Sequence, residues 1–62
     1  LVPEDLATAM DEAGVRAAYE SLAVGNRKAI LAWLVMAKRD TTRANRIGKT
    51  IAALRRGESP LS

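Results

Sequence analysis

The chain has no cysteine, no histidine and no phenylalanine, and only one tryptophan and one tyrosine in 62 residues. Without cysteine there is no disulfide framework and no thiolate-bound metal. The usual mark of an oxidising compartment is also missing, so the composition fits a cytoplasmic protein. Without histidine the commonest general base is gone. Ser21, Ser59 and Ser62 have no candidate base beside them. The acids show neither ligand spacing nor a carboxylate pair set among apolar helix positions. The residues therefore point away from an enzyme, and no cofactor or metal is expected. The longest apolar run, from Ala29 to Ala37, is nine residues. A membrane span needs about 20. The N-terminus is acidic, with Glu4 and Asp5, and does not read as a signal peptide. The chain begins at Leu1 rather than Met, which suggests a processed or trimmed piece of something longer.

Strand signals are missing as well, since no run of alternating β-branched residues occurs. Ala, Leu, Arg, Lys and Glu dominate instead, and the chain reads as an all-α bundle of four short helices. The first is expected at about residues 3 to 12, opened by Pro3 and the acids Glu4 and Asp5, and stopped by Gly14. Leu6, Ala9, Met10 and Ala13 share its apolar face. The second, about residues 15 to 22, carries Val15, Ala18, Tyr19 and Leu22 at helical spacing. The third, about residues 26 to 38, takes Asn26 as N-cap. Its centre is apolar almost all round, so the helix is expected to be the buried middle of the bundle, with Trp33 near the centre. The fourth, about residues 41 to 56, is capped by Asp40 and ended by Gly57. Ala44, Ile47, Ile51 and Leu54 form its apolar arc. The helical domain is thus expected over about residues 1 to 57, with 58 to 62 as a disordered tail.

Charge is unevenly placed along the chain. Residues 1 to 37 hold five acids against Arg16, Arg27 and Lys28, for a net −2. Residues 38 to 56 hold seven basic side chains against Asp40, for a net +6. The segment Ala37-Lys38-Arg39-Asp40-Thr41-Thr42-Arg43-Ala44-Asn45-Arg46-Ile47-Gly48-Lys49-Thr50 ends like a phosphate-binding loop. That motif needs a glycine where Arg43 stands and a strand before it, so the likeness is superficial. Gly48 instead reads as a place where a neighbouring helix approaches closely. A second reading is a nucleic-acid helix, with Thr42, Arg43, Asn45, Arg46 and Lys49 as phosphate or base contacts. The turn before it lacks glycine, and no aromatic is at hand for base stacking. A third is an amphipathic helix on an anionic membrane surface, although the apolar arc lacks bulky aromatics. The plainest is a solvated helix with its basic side outward, Arg43 pairing with an acid of the first two helices. If the chain has a working surface for an anion or partner, the candidates are Lys38, Arg39, Arg43, Arg46 and Lys49.

So short a chain hides only about 60% of the surface that its unfolded form exposes. Marginal stability leaves room for a protein partner, an attached N-terminal domain or a homo-oligomer.

The arrangement Val2-Pro3-Glu4-Asp5-Leu6, Arg27, Trp33, Ala37-Lys38, Thr42-Arg43, Arg46-Ile47, Lys49-Thr50, Leu54 and Gly57 resembles the bacteriocin-protection, YdeI or OmpD-associated family. The likeness is to its C-terminal helical region and runs from about Val2 to Gly57. It implies a small all-helical bacterial domain, often placed behind an N-terminal domain such as a small β-barrel. It implies no enzyme activity and no agreed ligand. Lys38, Thr42, Arg43, Arg46 and Lys49 carry over as signature positions. The family's loop before the third helix is Ser-Pro-Ser-like, whereas Ala23-Val24-Gly25 stands here, and Gly48 replaces a better helix former. The family name implies protection against bacteriocins or cationic peptides and an envelope association. A net charge of +3 is a poor trap for cationic peptides.

Overall fold

The computed structural model describes residues 2–61. Leu1, at the start of the expected domain, and Ser62, at the end of the expected tail, lie outside the described residues. Four helices follow one another: α1 (Glu4–Ala13), α2 (Arg16–Glu20), α3 (Val24–Val35) and α4 (Asp40–Arg55). The all-α reading holds, with each helix close to its expected place.

Two glycines set the ends of α1 and α4 in the same way. Gly14 has φ 70° and Gly57 has φ 72°, the left-handed conformation that costs glycine nothing. Behind each, the chain closes a hydrogen bond five residues back: Val15 N–H donates to the Met10 carbonyl at 3.0 Å, and Glu58 N–H to the Ala53 carbonyl at 2.9 Å. The first closure also turns Val15 into the core, where it is 7% exposed.

The expected caps shift. Ala23, not Asn26, precedes α3, and its carbonyl accepts from Arg27 N–H at 3.1 Å. Asn26 lies inside the first turn. Arg39 likewise precedes α4 and Asp40 is its first residue, where a carboxylate still favours the helix dipole.

Leu6 and Met10 of α1, Val15, Tyr19 of α2, Ile30 and Leu34 of α3 and Leu54 of α4 form the core. α4 packs against all three other helices. Its innermost side chains are Thr50, Ala53 and Leu54, so the buried face is rotated from the expected arc. Ile47 and Ile51 are half-buried and Ala44 is exposed. Thr50 is fully buried, and its hydroxyl donates to the Arg46 carbonyl at 2.8 Å. That bond satisfies the hydroxyl within the interior. The Gly-Lys-Thr sequence therefore lies mid-helix and cradles nothing. The Tyr19 hydroxyl is held above its ordinary value by burial.

Two expectations about α3 fail. Trp33 is half-buried and is not among the core residues. Only Ile30 and Leu34 of this helix are buried, on one side, while Val24, Val35 and Met36 are 56%, 71% and 70% exposed. The bundle is too small to cover both sides of a helix that is apolar all round. Gly48 does not mark a close approach either: a Cβ built there meets nothing within 4 Å.

Candidate functional site

The basic segment is placed by the junction of α3 and α4. The last carbonyls of any helix lack intrahelical donors. At the end of α3, guanidinium groups from α4 add donors to two of them, although the Leu34 carbonyl also accepts from Ala37 N–H at 3.1 Å. Arg43 Nη1 donates to the Leu34 carbonyl at 3.2 Å, and Arg46 Nη1 to the Trp33 carbonyl at 2.6 Å. Cations are also favoured at this negative end of the helix dipole. The Arg46 guanidinium lies over the Trp33 ring, 5.2 Å from its centre. These two arginines, three residues apart and so on one side of α4, close α3 from outside.

Arg43 reaches a third helix as well. Its Nε donates to Asp5 Oδ2 at 2.6 Å and its Nη2 to Asp5 Oδ1 at 3.0 Å, a two-pronged pair that joins α4 to α1. The Arg43 hydrogen bond holds the Asp5 carboxyl below its ordinary value of 3.8. The expected pairing of Arg43 with an acid of the first two helices is thus present. Arg27 repeats the capping role elsewhere, Nη1 donating to the Glu20 carbonyl at the end of α2 at 3.1 Å. Arg16 and Asp11 form a separate two-pronged pair at 3.0 and 2.9 Å between α1 and α2.

The five candidate residues therefore divide. Arg43 and Arg46 are half-buried and engaged within the molecule. Lys38 and Arg39 are exposed in the α3–α4 connection. Lys49 is exposed on α4, where it lines a polar groove of about 370 Å³ with Arg56, Glu58 and Pro60. It stands about 60° around the helix from Arg46. The residues of a possible nucleic-acid face divide too: Asn45 is exposed, while Thr42 is half-buried. Sequence reasoning missed the capping role of Arg43 and Arg46. The available signal was their three-residue spacing just after a short turn, which turns both side chains back toward the preceding helix end.

Next to Lys38 and Arg39 lies the outer side of α3. At about 100° per residue, Val24, Lys28, Ala32 and Val35 fall within an arc of about 80°, with Met36 beside it. Ile30 and Leu34 lie on the other side. Among the described residues Lys28, Lys38 and Arg39 have no ion-pair partner. Among the described residues no group of three or more His, Cys, Asp or Glu side chains gathers to hold a metal. No described helix is long and apolar enough to cross a membrane.

The molecule is thus a small four-helix domain in which arginines of one helix close the ends of others. The family described as Bacteriocin-protection, YdeI or OmpD-Associated matches residues 1–57, and the chain belongs to it. No curated protein and no solved structure matches the chain. The resemblance read from the sequence is borne out at the level of the family.

Proposed function

We propose that this chain is a non-enzymatic accessory domain that works by contact with another protein, within a bacterial stress-resistance or bacteriocin-protection system. The exposed side of α3 carries the reading. A helix apolar on every side is ordinarily covered on every side. Here Val24, Val35 and Met36 are left in water. Lys28 stands among them along the helix and Lys38 and Arg39 follow its end, so the fitting partner is a protein surface that sets apolar side chains beside carboxylates. Membership of the family supports the accessory role. The nucleic-acid alternative loses ground because Arg43 and Arg46, the middle of the cationic helix, are held by Asp5, Leu34 and Trp33.

Two sets of amphipathic helical peptides with the same apolar face, one with acidic and one with basic flanks, test the proposal by fluorescence anisotropy. The acidic set should bind more tightly, and Val35→Glu with Met36→Glu should abolish the preference. Equal binding of both sets, or binding untouched by the double substitution, would overturn the reading. So would tight binding of duplex DNA or RNA that weakens steeply with salt.

A further inference from the structure

A second unpartnered surface lies on the other side of the molecule, and it does not depend on the reading of α3. α1 and α4 leave an open groove of about 450 Å³ between them. Ala9 and Ala13 form one wall, and Ala44, Ile47, Gly48 and Ile51 the other. Glycine within a helix weakens it, yet among the described residues nothing approaches Gly48 to require it. Glu12 and Arg55 both line this groove and do not pair with each other.

We infer that this groove is where a second copy of the chain binds, with α4 packing antiparallel on α4 of the copy across a two-fold axis between Ile47 and Gly48. A two-fold contact requires a surface that complements itself. At about 100° per residue, Ile47, Asp40, Ile51, Ala44, Arg55 and Gly48 fall within an arc of about 100° on one side of α4. Within that arc, residues equidistant from the axis match in character. Asp40 and Arg55 are opposite in charge. Ala44 and Ile51 are small and large. Ile47 and Gly48 are large and absent. Pairing across the axis therefore sets each acid against a base and each isoleucine against a small residue. Asp40 and Arg55 are exposed and, among the described residues, make no ion pair. The same face needs no partner of different chemistry, because it supplies both halves of every contact. Gly48 then has the role that the single chain does not give it: room for Ile47 of the copy.

Sedimentation equilibrium on the full chain from about 5 μM to about 1 mM at low salt tests this, over the range where a small interface associates. The mass should rise from 6.7 kDa toward twice that value. Gly48→Arg fills open space in the monomer, so circular dichroism should show the fold intact while association weakens at least about tenfold. Arg55→Asp should weaken it similarly by setting acid against acid. Adding Asp40→Arg should restore it to within about threefold of the natural chain. A monomer throughout the range would overturn the inference. So would a dimer indifferent to Gly48→Arg, or a charge swap that does not restore binding. Val35→Glu with Met36→Glu should leave association unchanged, and loss of the dimer in that variant alone would place the contact on α3 instead.

Discussion

Replacing Arg46 by alanine removes two interactions at once at the α3–α4 junction. The first is the 2.6 Å hydrogen bond from its guanidinium to the Trp33 carbonyl. A hydrogen bond to a charged group contributes about 1.5–3 kcal/mol, and partial exposure places this one near the lower figure. The second is the guanidinium over the Trp33 ring at 5.2 Å, worth about 0.5–1 kcal/mol at a partly exposed site. Together they predict a loss of about 2 kcal/mol. In so small a domain each kcal/mol shifts the melting temperature by about 4–8 °C, so Arg46→Ala should melt about 8–15 °C lower. Thermal denaturation followed by circular dichroism reads the loss. Trp33, the only tryptophan, reports the junction by its fluorescence. Arg46→Lys keeps the charge without the planar fork and should recover less than half of the difference. A double-mutant cycle with Trp33→Leu separates the two parts, because the carbonyl bond survives the side-chain change and only the ring contact is lost. The coupling should be about 0.5–1 kcal/mol. If Arg46→Ala melted within about 2 °C of the natural chain, this residue would not be closing α3 and the account of the junction would be wrong.

Four further outcomes are expected. Asp5 has its carboxyl lowered by the folded pair with Arg43, so its contribution is complete above the ordinary value of 3.8 and fades as pH falls below it; a melting series from neutral to acid pH should show that fade, and Asp5→Asn should flatten it. Gly48→Ala, measured at about 5 μM to disfavour association, should raise stability by about 1 kcal/mol in a denaturant titration, since the added methyl meets nothing. Leu34→Ala should cost about 2–5 kcal/mol, and Trp33→Ala only about 1–2 kcal/mol because just part of the ring leaves water; equal losses in urea would put Trp33 in the core after all. Val35→Lys and Met36→Lys should each change stability by less than about 0.5 kcal/mol, and a large loss in either melting curve would show that the outer side of α3 is already covered.

Much of the architecture could be read from spacing. Leu6 with Met10, and Val15 with Tyr19, stand at helical intervals and are buried as expected. Gly14 and Gly57 mark helix ends because only their backbone tolerates the turn that follows. What spacing could not give was the choice between faces. α3 is apolar on all sides, so periodicity alone does not say which side is covered. α4 has two eligible faces separated by a modest rotation, and Thr50 lies on the buried one despite its hydroxyl. The interior accepts it because the Arg46 carbonyl lies within reach one turn back. The charge split foretells an acid for Arg43, but not which one, and composition does not record the carbonyls that Arg43 and Arg46 reach. Their partners, Trp33 and Leu34, belong to the preceding helix, and Asp5 is 38 residues away from Arg43. No local pattern encodes a contact at that range.

α4 packs against each of the other three helices. Leu6, Met10, Val15, Tyr19, Ile30 and Leu34 precede it, and Leu54 of α4 completes their cluster. During synthesis the interior is therefore expected to close only after Leu54 has left the ribosome. A stop codon anywhere inside α4 should accordingly yield a chain that proteases clear, rather than a smaller working version of the domain.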